Sequence, residues 1–185
     1  MTGPLLSRVQ ASNEAWFRKV DDAGRFRGVL HPVNPTQLPT SVFVLPRIAL
    51  RVRLQEPVKS GELIRDRIQR VLLVGDHDVT LSASDPFSRV HALFQMTELV
   101  DWKRAVQTQN PITKQLETVS EPEILGPIWA SIENFTRGDN DAGTRVTVDR
   151  LRAITAAPVV EGDYLYGRTV RRVQHTLGVY VSEIA

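Results

Sequence analysis

Cysteine is absent from the 185-residue chain. That absence excludes a disulfide framework, a zinc–thiolate site, an iron–sulfur cluster and a thiol nucleophile, so packing within the chain or against neighbours must supply its stability. Long apolar runs are missing as well, none approaching the roughly 18 residues of a membrane span. The first ten residues carry Gly3, Pro4 and an early Arg8 instead of the basic and then apolar layout of a secretory leader. The expectation is therefore neither a membrane protein nor a Sec substrate. Aromatic residues make up only 6% of the chain, so stacking surfaces must be few. Lysine is scarce too: of 23 basic residues only Lys19, Lys59, Lys103 and Lys114 are lysine, and the remainder are arginine.

Arginine's planar fork forms bidentate, partly buried pairs at interfaces, whereas lysine is the usual solubilising surface charge. Such a bias suits a protein that packs against other proteins. With 21 acidic residues the formal net charge is only +2. Along the chain the arginines mostly alternate with acidic and apolar residues, so reading linearly reveals no clustered basic face of the kind nucleic-acid binding requires.

What the sequence does contain is short alternating apolar runs separated by turn residues, the pattern of antiparallel β structure. Ala15–Val20 and Arg25–Leu30 flank Asp21-Asp22-Ala23-Gly24, which predicts a hairpin with Gly24 in the turn. From Ser41 to Leu54, the even positions Val42, Val44, Ile48, Leu50, Val52 and Leu54 would share one strand face. Ile64–Val74 predicts another strand, followed by a turn at Gly75-Asp76-His77-Asp78. After Asp85-Pro86 the pattern admits a helix or a strand; the alternation of Val90, Ala92, Phe94 and Met96 favours the strand. Trp102–Gln107 and Lys114–Val119 flank Gln109-Asn110-Pro111 as a second hairpin or an extended loop. Further strands are expected at Pro127–Asn134, Thr144–Ile154, Tyr164–Gln174 and Gly178–Ile184, and a short helix from Leu5 to about Glu14.

An internal repeat organises these elements. Pro57-Val58-Lys59-Ser60-Gly61-Glu62 aligns with Pro158-Val159-Val160-Glu161-Gly162-Asp163 at an offset of 101 residues, and the same offset pairs Leu50-Arg51 with Leu151-Arg152 and Arg70 with Arg171. The matched proline, glycine and acid recur at the same place in the strand order. The expected fold is mainly β: two tandem small antiparallel β-barrel or sandwich domains with a short N-terminal helix. Residues 1–97 would form the first, with a Pro-rich insertion from Pro32 to Pro46, and residues 98–185 the second, joined near Thr97–Trp102.

Chemistry finds little support. Asp76-His77-Asp78 could offer an imidazole and two carboxylates to a metal, but strand geometry would point His77 away from both acids, and Gly75 favours a solvated turn. His31, His91 and His175 are isolated and read as strand residues. There is no Gly-x-Ser-x-Gly elbow, no phosphate-binding glycine loop and no dinucleotide fingerprint. Glu121 with Glu123 and Asp139 with Asp141 read as solvated loop pairs. The Asn134-Phe135-Thr136 sequon and the Arg137-Gly138-Asp139 tripeptide are chance matches in a loop expected over Thr136–Gly143. No catalytic, cofactor-binding or metal residue is assigned, and the chain is expected not to be an enzyme.

The carboxyl half carries Pro127-Ile128-Trp129-Ala130-Ser131-Ile132-Glu133, a loop, Arg145-Val146-Thr147-Val148, Ile154-Thr155, then Val160-Glu161-Gly162-Asp163-Tyr164-Leu165-Tyr166-Gly167-Arg168-Thr169-Val170-Arg171-Arg172-Val173, closing on Leu177-Gly178-Val179-Tyr180-Val181. This order resembles the head-completion, or head-to-tail connector (stopper), proteins of tailed bacteriophages. The amino half departs from that single-domain pattern: it has Val29-Leu30-His31-Pro32-Val33-Asn34 where the family has its Trp-Ala strand, so a duplicated connector or two-barrel neck protein is the adjusted reading. The resemblance implies a structural virion component, assembled in the host cytoplasm, that joins or closes the head and connects it to the tail. It also implies self-association into a six- or twelve-fold ring, contact with portal, adaptor or tail proteins and with DNA in the channel, no membrane and no cofactor.

In such a ring Asn34–Thr40, Thr108–Glu123 and Thr136–Gly143 would be the reaching loops, with Thr108–Ser120 lining the channel or docking the next ring. A different class of function stays open: a β-barrel binding module for carbohydrate or oligonucleotide, using Trp16, Trp102, Trp129, Tyr164, Tyr166 and Tyr180. Burial of those aromatics in the core, which their small number favours, would speak for the connector. A third reading, a hydrolase with a dispersed site, requires a pocket with converging polar groups.

Overall fold

A computed structural model describes residues 14–21, 24–33, 48–77, 87–114, 116–118, 121–141 and 144–185. The expected helix from Leu5 lies almost wholly outside them, as does the Asn34–Thr40 loop; Glu14 precedes the first strand without helix, and the described residues contain no helix. The chain divides between Met96 and Thr97 into two compact units, Thr176–Val179 clustering with the first. Each unit holds a closed six-stranded antiparallel barrel.

The first barrel is built from β1 (Ala15–Lys19), β2 (Arg25–Pro32), β3 (Ile48–Arg53), β4 (Leu63–Arg65), β5 (Val71–His77) and β6 (Ser88–Gln95), in the order β1-β2-β3-β6-β5-β4. Strand alternation puts Phe17, Phe26, Leu50, Val52, Ile64, Leu72, Val74 and Leu93 inside, with the Phe17 and Phe26 rings stacked at 5.4 Å. The second barrel uses β7 (Glu98–Arg104), β10 (Glu123–Asp141), β11 (Thr144–Thr155), β12 (Tyr164–Leu165), β13 (Arg168–Thr176) and β14 (Val179–Ile184), while β8 (Gln107–Gln109) and β9 (Leu116–Thr118) form a separate two-stranded hairpin. Its order, β7-β10-β11-β14-β13-β12, is that of the first barrel strand for strand once the β8–β9 insertion is removed. Val100, Ala130, Ala153, Val159, Leu165, Val170 and Ile184 fill it.

The repeated segment has the same job in both. Pro57 and Pro158 each centre a three-residue turn, closed by Val58 N–H to the Glu56 carbonyl at 2.9 Å and by Val159 N–H to the Ala157 carbonyl at 2.8 Å. The valine that follows enters the core in each case, Val58 2% and Val159 1% exposed. Gly61 and Gly162 then adopt φ of +83° and +89°, which an L side chain disfavours.

Several expected elements are altered. Ile64–Val74 is two strands: the Asp66 carboxylate accepts N–H bonds from Ile68 and Arg70 and an Nε bond from Arg70, which stabilises a turn with Gln69 at φ +66°. Tyr164–Gln174 is likewise broken, because Tyr166 and Gly167 both have positive φ, the signature of a two-residue hairpin turn. The expected turn over residues 75–78 fails for Gly75–His77, which continue β5 through a register shift opposite β6. The Thr97–Trp102 junction is mostly strand, since β7 starts at Glu98. Finally, Thr136–Asp141 of the expected Thr136–Gly143 loop is β-ribbon, β10 and β11 staying paired from Ala130↔Thr155 out to Asp141↔Thr144, and the last two residues of that loop lie outside the described ones.

Candidate interaction surfaces

The best-formed polar cluster sits on the repeated turn of the second unit. Asp163 is 1% exposed and accepts four hydrogen bonds: from Trp102 Nε1 (2.9 Å), Arg104 Nε (2.9 Å) and Nη2 (3.0 Å), and the Val160 backbone N–H (3.0 Å). Burial alone would push its carboxyl pKa up; the bonds from Arg104, Val160 and Trp102 together outweigh it and hold the carboxyl below the usual range. The Arg104 guanidinium is raised in turn, chiefly by its bond to Asp163. In the first unit Glu62 takes the equivalent place, accepting from the Lys59 N–H at 3.1 Å and from Lys19 Nζ at 2.8 Å. These clusters tie a turn to a neighbouring strand, with both oxygens of each carboxylate engaged.

A second feature appears only when the strands are laid side by side. β1 pairs with β2 and β4 so that Arg18 faces Arg25 on one side and Arg65 on the other, a row of three arginines abreast on the outside of the first barrel. Arg67 follows in the turn after β4, and Arg27 lies next to the row with its guanidinium 4.6 Å from the ring centre of Trp16, itself 53% exposed. Among the described residues none of these five arginines is joined to a carboxylate. Of the acids beside β4, Asp66 is committed to Arg70 and Glu62 to Lys19, while Asp21, in the turn after β1, makes no ion pair among the described residues. Trp16, Arg18, Arg25, Arg65 and Arg67 line a groove of about 530 Å³.

The third feature is backbone. β10 pairs with β7 no further than Ala130, and β11 pairs with β14 only from Leu151 to Thr155. Beyond those points the two strands have only each other among the described residues, so a ribbon of seven residue pairs, Phe135↔Arg150 to Asp141↔Thr144, roughly 23 Å long at about 3.3 Å per residue, leaves both outer edges without a described strand partner. At its base, Arg150 Nη1 lies 3.2 Å from Oε2 of Glu183, which is 2% exposed. The β8–β9 hairpin is closed by Asn110, whose side-chain oxygen accepts from the Ile112 and Thr113 N–H groups at 2.9 and 3.2 Å. Its tip presents Ile112, 89% exposed.

The residues singled out for chemistry are not brought together. Asp76 and His77 lie in β5, Asp78 is outside the described residues, and among the described residues no group of three or more His, Asp or Glu could hold a metal. All four histidines are in strands. His91 is buried with Nδ1 3.1 Å from the Gly75 carbonyl, and His175 packs on Tyr180 with ring centres 4.8 Å apart. His31 is partly buried, and burial first and the Arg51 charge second lower its pKa. Glu121 and Glu123 are exposed, and Asp139 and Asp141 belong to β10. None of the six aromatics named as stacking candidates is fully buried: Trp16 and Tyr166 are exposed and the other four partly buried, Trp102 against the second core, so the expectation that most are core is corrected. Among the described residues the core aromatics are Phe17, Phe26 and Phe94. Sequence reasoning missed the arginine row, whose only signal was the hairpin register placing Arg18 opposite Arg25.

No family model, curated protein or solved structure matches the chain.

Proposed function

We propose that this chain is a structural ring subunit of the neck of a tailed bacteriophage, a connector or stopper that joins or closes the head and links it to the tail. The observation that carries this reading is the β10–β11 ribbon. Closed barrels have no edge strands to offer a neighbour, whereas the ribbon has no strand partner on either outer side among the described residues. A neighbour engaged by one such arm, with its own arm engaging the next, makes a head-to-tail contact that closes into a ring when the rotation permits. The ribbon sequence carries both signs, Arg137 and Arg145 with Asp139, Asp141 and Asp149, as a surface meeting another copy of itself requires. The β8–β9 hairpin, with Ile112 at its tip, is the second reaching element and the natural contact with an adjacent ring.

The test replaces Thr136–Asp149 by a two-residue Asn-Gly turn, keeping the Phe135↔Arg150 pair, and measures mass by light scattering with imaging for rings. Six- or twelve-fold rings for the natural chain and monomers of unchanged thermal stability for the shortened one are expected. A natural chain that stays monomeric at high concentration, or rings that survive the shortening, would overturn the assignment.

A further inference from the structure

We infer that the outer face of β1, β2 and β4 binds the sugar–phosphate backbone of a nucleic acid. Like charges directly opposite one another on a sheet destabilise it, and the Arg25–Arg18–Arg65 row places two such pairs side by side. An internal role would show in ion pairs to nearby acids, but Asp66 is consumed by Ile68 and Arg70, and Glu62 by Lys59 and Lys19. Arg18, Arg25, Arg65 and Arg67 therefore converge on one groove, which Lys19 and the Arg70-bound Asp66 also line, and none of the four is paired with an acid among the described residues; the strands are held by the barrel beneath them.

The ligand follows from the layout. Strands step by roughly 4.8 Å, so the row is a line of positive charge about 10 Å long, on the scale of the repeating negative charge of a nucleic-acid strand. Guanidinium forks suit phosphate oxygens bidentately. Beside the row stands a half-exposed indole carrying its own arginine, Trp16 under Arg27, and a basic groove with an aromatic platform is the arrangement that single-strand binders use. An anionic lipid surface would also attract these charges, but the linear arginine spacing beside an indole matches the periodic phosphates of a strand, and titration against lipid vesicles separates the two. The inference does not rest on ring assembly, and the measurement below can fail or succeed whatever the oligomeric state.

The full chain is titrated against a fluorescein-labelled 20-nucleotide mixed-sequence single strand and its duplex, by anisotropy between 50 and 200 mM NaCl. Three phosphate contacts predict that the fourfold rise in salt weakens binding roughly 20-fold for the single strand and about 40-fold for the duplex. The triple variant Arg18→Ala/Arg25→Ala/Arg65→Ala is expected to bind at least about tenfold more weakly at 50 mM salt with a shallower salt slope, while its unfolding temperature stays level or rises as the repulsion is relieved. Arg18→Glu, which converts the middle of the row into an ion-pair partner for its neighbours, should fold and lose binding equally. Arg168→Ala/Arg171→Ala, in the second unit, should leave binding unchanged. The proposal is overturned by no binding at 50 mM salt, by undiminished binding of the two row variants, by an equal loss in the second-unit control, or by tighter row-dependent binding to phosphatidylserine vesicles than to either oligonucleotide.

Discussion

Replacing Asp163 by alanine should be among the most damaging single changes in the second unit. The substitution removes four acceptor contacts at once and severs β7 from the repeated turn, because Trp102 and Arg104 are β7 residues and Val160 belongs to the turn. Breaking a buried ion pair by removing one partner costs about 3–5 kcal/mol. The lower end applies here, since the Arg104 side chain is 38% exposed and its charge can rehydrate, whereas Asp163 is 1% exposed. To this is added the Trp102 N–H, half-buried and left without its acceptor, so about 3 kcal/mol is the expected loss. The equivalent change in the first unit, Glu62→Ala, removes a contact to Lys19 with side chains 25% and 15% exposed and should cost about 1 kcal/mol.

The assay is urea unfolding followed by tryptophan fluorescence in a Trp16→Phe background, where only Trp102 and Trp129 remain and both report on the second unit. Because the Asp163 pKa is lowered on folding, its stabilisation is complete above the unfolded carboxylate value of about 3.9 and is lost as pH falls through the folded value. The difference between the natural chain and Asp163→Asn should accordingly close at low pH. A cost for Asp163→Ala below about 1 kcal/mol, or no greater than that of Glu62→Ala, would refute the claim that this cluster holds the turn.

Other consequences follow from local geometry. His31 has its folded pKa lowered by burial, so its contribution to the first unit is complete above about pH 6.5 and is lost as the pH falls through the folded value; His31→Gln should flatten that decline in a pH series of urea melts. A Cβ on Gly28 would lie 2.7 Å from Leu50 Cδ1 and 3.1 Å from the Arg51 carbonyl oxygen, so Gly28→Ala should overpack the first barrel by about 1–3 kcal/mol, read as a lower urea midpoint with Trp16 as the probe. Shortening the ribbon and removing the arginine row should separate cleanly: the first abolishes assembly without changing oligonucleotide binding per chain, the second does the reverse, as paired mass and anisotropy measurements can check.

The strands were largely legible because their alternation is a local property. Val52 and Leu50 announce an inward face in any register, and the Pro-Val-x-x-Gly-acid match pointed to turns that prove alike atom for atom at Val58 and Val159. What stayed hidden depends on partners. Ile64–Val74 looks like one strand until the Asp66 carboxylate is seen to gather three donors; nothing in the apolar pattern marks that break. The Thr136–Gly143 stretch reads as a loop because Gly138 and its run of polar residues have poor strand propensity, and only the ladder with β11 makes Thr136–Asp141 extended. The arginine row is the same lesson in charge: along the chain Arg18, Arg25 and Arg65 are separated by acids, and only lateral pairing brings the three arginines abreast.

The matching strand order of the two barrels also identifies where this scaffold can be lengthened. In the first barrel 15 residues, 33–47, join its second strand to its third; in the second barrel the same junction is occupied by the β10–β11 ribbon. A junction that carries long connections of unrelated sequence in both halves of one chain is a natural attachment point. Foreign sequence spliced there, from an epitope to a whole small domain, meets a framework already adapted to carry it.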